Sequence, residues 1–184
     1  MSLLSLIMIV KNEAALLPEF LRHHDSLFDE MIIVDTGSTD GTTEIIEASR
    51  ATLVNYPWDD DFSKARNAGL GQAKGRWLLL LDADERISAD NIHTLRKFLE
   101  KAPTAVYLQK TINYFIGTRH LEWQPVSGLF PQEEIDQTGY FAAHRAGLFP
   151  NFKGLKFVGR VHESILPSAS DAGLGTFRLE IPVH

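Results

Sequence analysis

A chain of 184 residues, of which 44% are hydrophobic and 23% charged, fits one domain with a sizeable core. The net charge of −6, without a basic stripe, argues against nucleic acid as the main partner. The absence of cysteine excludes disulfides, thiolate catalysis and zinc–thiolate sites. No apolar run reaches transmembrane length, and the first one lacks the flanks of a signal peptide, so we expect a cytoplasmic protein.

Up to about residue 100, apolar runs alternate with segments of helical spacing. The runs predict strands at Leu4–Val10, Met31–Val34, Thr52–Asn55 and Trp77–Leu81. We expect Asn12 to cap the first helix, and the small residues of the third helix to allow a close approach to the sheet. Regular alternation of strand and helix predicts an α/β fold, with a Rossmann-like, mostly parallel sheet and helices on both faces.

The pattern changes in the second half of the chain. Strands are predicted at Ala105–Ile112, Tyr140–Phe149 and Lys156–Ile165, and the alternation in residues 177–183 is typical of an edge strand. This order predicts a mixed part of the sheet. Because the chain stops at His184 with no closing helix, we expect a domain that is incomplete at its C-terminal end.

The strand at Trp77–Leu81 runs directly into Asp82, Ala83, Asp84 and Glu85. A continuous apolar run is typical of a strand buried on both faces of a parallel sheet, and such sheets bind ligands at the carboxyl ends of their strands. Asp82 and Asp84 are two residues apart, so they would point the same way in an extended chain. Two carboxylates on one side suit a magnesium or manganese ion that bridges phosphates. Alternatively, these acids only end the strand and cap the next helix.

A second acidic strand end opens the run Asp35-Thr36-Gly37-Ser38-Thr39-Asp40-Gly41-Thr42. Its amides, hydroxyls and helix N-terminus suit a phosphate or a nucleoside. It matches neither GxGxxG nor GxxxxGK[ST], and an ordinary capped turn is the alternative. Asp35 is expected to face the same crevice as Asp82 and Asp84, which predicts recognition of a ribose or base beside a metal ion.

Two more charged residues are candidates for chemistry. Arg66 lies in a helix of small residues and suits a diphosphate, although pairing with its acidic neighbours is the alternative. Glu163 follows the apolar segment Phe157–Val161, and it could act as a general base or be a surface charge. Trp58 and Phe62 are expected in the core.

Four ordered segments resemble family 2 glycosyltransferases of the GT-A fold. They are Ile7–Glu13, Val34–Thr42, Ala65-Arg66-Asn67 and Leu81–Glu85. The segments Trp58–Asn67 and Phe157–Glu163 resemble the bacterial branch that builds lipopolysaccharide cores and related glycoconjugates. The resemblance implies one GT-A domain over residues 1–184, with a nucleotide-sugar-binding half at about 1–100 and an acceptor half at about 101–184.

The resemblance also implies an activity. Such enzymes transfer a sugar from a nucleotide diphosphate sugar, here with UDP favoured, to a hydroxyl of a glycan or lipid-linked acceptor. Transfer is expected to depend on Mn²⁺ or Mg²⁺ and to invert the sugar configuration. It would serve cell-surface glycan synthesis in the cytoplasm or at the inner face of the cell membrane.

By the same resemblance, roles fall on particular residues. The donor-binding set is Val10, Asn12, Glu13, Asp35, Ser38, Arg66, Asp82 and Ala83. Asp84 and His184 would bind the metal ion, Glu163 would be the general base, and Trp123 and His162 would contact the acceptor. The sequence departs from the family at two places: His162-Glu163 replaces a Glu-Asp pair, and Lys11 replaces an aromatic residue.

Other classes stay open on the sequence alone. A non-catalytic nucleotide-sugar-binding module would keep the donor residues without turnover. A haloacid-dehalogenase-like phosphatase also places Asp-x-Asp after an apolar strand, but in its first strand, whereas the motif here follows the fourth predicted strand. A sugar-nucleotide pyrophosphorylase has a similar architecture, but its glycine-rich N-terminal loop is absent from this sequence.

Overall fold

The computed structural model describes residues 2–117, 124–126, 128 and 134–184. The strands are β1 (Leu4–Val10), β2 (Glu30–Asp35), β3 (Thr52–Asn55), β4 (Trp77–Leu80), β5 (Val106–Phe115), β6 (Gln124–Pro125), β7 (Gly139–Pro150) and β8 (Thr176–Val183). The helices are α1 (Leu17–His23), α2 (Thr42–Glu47), α3 (Phe62–Leu70), α4 (Ala89–Lys101) and α5 (Leu166–Asp171). None of these helices is long and apolar enough to cross a membrane.

All the strands belong to one sheet, in the order β3-β2-β1-β4-β7-β5-β8, with β6 paired to β7. Strands β3, β2, β1 and β4 are parallel, whereas β7 runs antiparallel to both β4 and β5. The predicted α/β class, parallel first half and mixed second half are therefore confirmed. Because β1 lies between β2 and β4, the winding of the chain reverses there, and the carboxyl ends of these strands border a common crevice.

Both faces of the parallel strands are buried, which explains their continuous apolar runs. Leu6 and Met8 of β1 belong to the cluster that includes residues of α1, α2 and α4, whereas Ile7 belongs to the cluster on the opposite face, with α5. Helix α3 lies close to the sheet because Gly69 has no side chain. A Cβ atom there would be 2.9 Å from Cγ2 of Val34, so the prediction of a close approach by small residues is confirmed.

Two local predictions were wrong. Helix α1 begins at Leu17, and Asn12 lies outside it with a φ of 60°. The Asn12 side chain accepts a hydrogen bond from the Thr39 N–H (2.8 Å), so it joins two loops and does not cap the helix.

The segment Lys156–Ile165 is a loop. Its β-type pairing is limited to an isolated bridge between Val158 and Ser164. Gly159 (φ 103°) and His162 (φ 57°) turn the chain, because a positive φ is incompatible with an extended strand. This turn, rather than a strand end, determines where Glu163 points.

His24 is a fully buried titratable group at the junction between α1 and the loop before α4. Its Nδ1 lies 3.1 Å from the Phe20 carbonyl, and its Nε2 accepts a hydrogen bond from the Ile87 N–H (3.2 Å). These backbone partners fix the neutral tautomer that carries its proton on Nδ1. Burial, followed by the charge of His23, lowers the pKa of His24 to about 3.

This buried histidine predicts acid destabilisation. The unfolded chain takes up the His24 proton near pH 6.5, but the folded chain does so only near pH 3. The unfolded state therefore binds more protons in this window, and the free energy of unfolding should fall by up to about 1.4 kcal/mol per pH unit as the pH drops. Urea unfolding at a series of pH values measures this dependence. His24→Gln should lose this part of the slope, and equal slopes for variant and wild type would contradict the assignment.

Candidate active site

The loops that follow β1 and β2 are joined by hydrogen bonds. The Asn12 N–H donates to Ser38 Oγ (2.8 Å), and the Thr39 N–H donates to Asn12 Oδ1 (2.8 Å). The Glu13 N–H donates to Thr42 Oγ1 at 2.8 Å. The predicted donor residues Asn12, Glu13 and Ser38 therefore belong to one connected wall at the carboxyl ends of the strands.

Asp35 is buried at the end of β2, with an exposed fraction of 4%. Its carboxylate accepts hydrogen bonds from the N–H groups of Gly37 (2.9 Å) and Ser38 (3.1 Å) in the following turn. Thr36, the next residue, lines the neighbouring cavity. The carboxylate of Asp35 thus shapes the loop, and its contact with a nucleotide base stays a prediction.

A cavity of about 560 Å³ opens where β1, β2 and β4 end. The predicted residues that line it are Val10, Glu13, Arg66, Asp82, Ala83, Asp84, His162 and Glu163. The other lining residues are Ile9, Lys11, Leu16, Thr36, Trp58, Phe62 and Val161. The structure therefore brings together carboxylates, a guanidinium group and apolar side chains from both halves of the chain. A cavity of this size suits a nucleotide.

Arg66 is the buried cation of this cavity, with an exposed fraction of 9%. Its Nε donates to Glu163 Oε1 at 2.7 Å, and its Nη2 lies 3.6 Å from Asp82 Oδ1. Its Nη1 is also buried and has no hydrogen-bond partner among the described residues. A buried donor without a partner is costly, and an anion bound in the cavity could satisfy it.

Asn67, the next residue of α3, holds the main chain of the loop 157–164. Its Nδ2 donates to the Phe157 carbonyl (3.0 Å), and its Oδ1 accepts from the Phe157 N–H (2.8 Å). Arg66 binds the side chain of Glu163 from the same helix. This dipeptide therefore explains why a loop from the second half of the chain lies against the first half.

Asp84 is exposed in the same cavity, and the described residues give it no hydrogen bond or ion pair. Burial raises the pKa of Glu13, and the charges of Asp84, Asp40 and Asp82 raise it further. Negative charge is thus concentrated on this side of the cavity. Such a site suits a cation.

The carboxylates of this cavity fit a metal ion that binds together with a nucleotide. Within the described ranges, no three His, Asp or Glu side chains form a ready-made metal site. A magnesium-type ion bound to a diphosphate needs only one or two protein carboxylates, because phosphate oxygens and water complete its shell. Asp84 can provide such a ligand.

A second cavity, of about 960 Å³, adjoins the first and shares Asp82, Asp84 and His162 with it. His184 lines this cavity, and its Nδ1 lies 2.7 Å from the Tyr114 hydroxyl. The main chain of His184 exchanges two hydrogen bonds with that of Arg86, at 2.6 and 2.8 Å. His184 is therefore fixed near Asp84, while its role as a metal ligand stays a prediction.

Trp58 and Phe62 were expected in the core, which is wrong: Phe62 is 40% exposed, Trp58 is half-buried, and both line the first cavity. Phe62 is the first residue of α3 and Trp58 lies in the loop before it, and their ring centroids are 4.7 Å apart. Trp123, predicted to contact the acceptor, lies outside the described residues.

Arg145 on β7 was not predicted as a site residue. Its Nη1 donates to Asp82 Oδ2 at 3.3 Å, and its Nη2 donates to the Leu80 carbonyl at 3.2 Å. The sequence could have identified Arg145, because it lies in the middle of a largely apolar strand and a charge at such a position needs a partner.

The model of the family "Glycosyl transferase family 2" matches residues 5–155. A TPR repeat-containing protein of Synechococcus elongatus is 44% identical over 101 residues, which cover 55% of this chain and 25% of that protein. The SPbeta prophage-derived glycosyltransferase SunS of Bacillus subtilis is 27% identical over 157 residues, which cover 84% of this chain and 33% of SunS. The chain thus spans a quarter to a third of the length of these relatives.

Among solved structures, glucosyl-3-phosphoglycerate synthase from Mycobacterium tuberculosis has a similar fold. Its complex with Mn²⁺, UDP-glucose and phosphoglyceric acid superposes with a TM-score of 0.59 at 18% identity. The match covers 98% of this chain and 70% of that one. With the family match extending over most of its length, this chain belongs to glycosyl transferase family 2 and has the GT-A fold.

Proposed function

We propose that this chain catalyses metal-dependent, inverting transfer of a sugar from a UDP-sugar to a hydroxyl of a glycan or lipid-linked acceptor. One observation carries the proposal. A single cavity at the carboxyl ends of β1, β2 and β4 contains the carboxylate of Asp84, which has no ion pair within the described part of the chain, and a buried guanidinium group, Arg66. The carboxylate suits a divalent cation and the guanidinium suits a diphosphate, so together they match a metal-bound nucleotide diphosphate.

The donor would occupy the first cavity. Val10, Glu13 and Ala83 line the side formed by β1 and β4, and the buried Nη1 of Arg66 would donate to a diphosphate oxygen. Asp84 would hold Mn²⁺ or Mg²⁺, with His184 as an additional ligand. When bound, such an ion neutralises the charge that develops on the leaving diphosphate. The UDP-glucose and Mn²⁺ in the mycobacterial structure support a UDP-sugar as the donor and a divalent cation as the cofactor.

Glu163 would act as the general base. Its Oε1 is engaged by Arg66, whereas its Oε2 accepts no hydrogen bond from the described residues. The acceptor hydroxyl would give its proton to Glu163 as its oxygen bonds to the anomeric carbon, while the bond from that carbon to the diphosphate breaks. Attack from the face opposite the leaving group inverts the configuration. The acceptor would lie in the second cavity, beside His162.

We further propose that this reaction serves bacterial cell-surface glycan or glycoconjugate synthesis, in the cytoplasm or at the inner face of the cell membrane. A binding-only protein is the second candidate, because the ion pair with Arg66 already occupies one oxygen of the proposed base. Turnover of UDP-sugars with and without a metal chelator distinguishes the candidates, since only an enzyme releases UDP.

Binding of UDP should require a divalent cation and depend on Asp84. Asp84→Asn preserves the shape of the side chain and removes its charge, so it should abolish the gain in UDP affinity that Mn²⁺ provides while leaving the fold intact. Calorimetric titration of UDP with Mn²⁺ and with chelator measures this gain. Asp171→Asn, an exposed change on α5, is the matched control. Equal gains for wild type and Asp84→Asn, or no gain for wild type, would refute the metal role.

Glu163→Gln should lower transfer roughly a hundredfold or more, the usual scale for loss of a positioned base. Because glutamine can still accept a hydrogen bond from Arg66, UDP affinity should be nearly unchanged. Initial rates and calorimetry together separate a base from a residue that only holds Arg66, since the latter would weaken UDP binding instead. Glu180→Gln, exposed on β8, serves as the control. Undiminished turnover would move the role to another carboxylate, with Asp136 and Glu134 next in line.

A further inference from the structure

Strand β7 stops pairing with β4 just before the acidic turn. The last paired residues are Leu79 of β4 and Leu148 of β7. Continuing this antiparallel register would place Arg145 opposite Asp82. Beyond Leu79, the guanidinium group of Arg145 donates a hydrogen bond to the Leu80 carbonyl, at the end of β4.

Arg145 contacts three points of the turn that follows β4. It donates to the Leu80 carbonyl (3.2 Å), to Asp82 Oδ2 (3.3 Å) and to Glu85 Oε2. Glu85 Oε2 also accepts the N–H of Asp82 at 2.8 Å, and the Glu85 N–H donates to the Asp82 carbonyl at 3.0 Å. Arg145 thus holds Asp82 in two ways. It binds the Asp82 side chain directly, and it binds Glu85, which in turn accepts a hydrogen bond from the Asp82 main chain.

The other oxygen of Asp82 faces a second guanidinium group, since Oδ1 lies 3.6 Å from Nη2 of Arg66. Asp82 is therefore placed between two cations, whereas Asp84 has no ion pair with the described residues. Two neighbouring guanidinium groups repel a metal ion, so a divalent cation would go to Asp84. Asp82 therefore pairs with the two arginines, whereas Asp84 would bind the cation.

We propose that Arg145 is a positioning residue for the donor site: it fixes Asp82 against Arg66 and so reserves Asp84 for the cation. This inference rests on the proposed function, in which Asp84 holds the metal ion, and on the expected place of Asp82 in the donor-binding set. Arg145 also lines the second cavity. Strand β7, which borders the second cavity, therefore sets the geometry of the donor site in the first cavity.

A double-mutant cycle on UDP affinity tests this role, with calorimetry in the presence of Mn²⁺. Arg145→Met keeps a long side chain without charge and should weaken UDP binding about tenfold, because Asp82 loses a charge-assisted hydrogen bond. In the Asp82→Asn background, the same change should alter the affinity by less than about twofold, as expected when one residue acts through the other. Equal losses in both backgrounds would overturn the proposal.

Conservative and remote variants complete the test. Arg145→Lys keeps the positive charge but lacks the guanidinium group, which can donate hydrogen bonds to two acceptors at once. It should therefore recover part of the UDP affinity that Arg145→Met loses. Arg178→Met, an exposed arginine change on β8, should bind UDP like wild type. If Arg145→Met does not fold, the cycle is run with Arg145→Lys. Wild-type protein that binds no UDP overturns both the proposed function and this inference, whereas UDP binding with additive losses overturns the inference alone.

Discussion

The ion pair between Arg66 and Glu163 joins the two halves of this chain at the cavity. Arg66 belongs to α3, which packs on the parallel strands, and Glu163 belongs to the loop between β7 and α5. Both side chains are largely buried, so removal of Arg66 would leave the charge of Glu163 without compensation from the described residues in a poorly solvated place. The position of the loop 157–164, and hence the shape of the cavity, depends on this contact together with the Asn67–Phe157 hydrogen bonds.

From this pair, charges of alternating sign continue across the floor of the site. Arg66 reaches Asp82, Asp82 reaches Arg145, and Arg145 reaches Glu85. Each internal member has partners on both sides, which is the condition under which partly buried charges are tolerated. Asp84 and the Nη1 of Arg66 stand outside this pairing among the described residues. A carboxylate and a guanidinium donor therefore stay available for a ligand that carries both a cation and an anion.

Much of the parallel half could be predicted from the sequence. Buried parallel strands are apolar on both faces, so the runs at Leu4–Val10 and Trp77–Leu81 were recognisable. The carboxyl-end rule then predicted that Asp82 and Asp84 lie at the ligand-binding edge of the sheet. The hydrogen bonds from the Gly37 and Ser38 N–H groups to the Asp35 carboxylate were not predictable, because the residue type does not reveal which N–H groups a carboxylate accepts from.

The second half was harder to predict for physical reasons. Apolar alternation in 156–165 resembled a strand, but His162 has a positive φ. Asn67 of α3 also binds the loop at Phe157, a contact between distant residues that the local pattern does not contain. The contacts of Arg145 depend on an antiparallel register between strands far apart in sequence. Trp58 and Phe62 were assigned to the core on hydrophobicity alone. Trp58 lies in the loop before α3 and Phe62 at its first residue, and both line the cavity.

A crystal structure of this chain with UDP and Mn²⁺, with anomalous scattering recorded at the manganese edge, tests the central claim most directly. We predict manganese bound to Asp84, with a diphosphate oxygen within hydrogen-bond distance of Nη1 of Arg66 and the Arg66–Glu163 pair retained. Manganese bound away from Asp84, or a diphosphate that does not contact Arg66, would contradict this account.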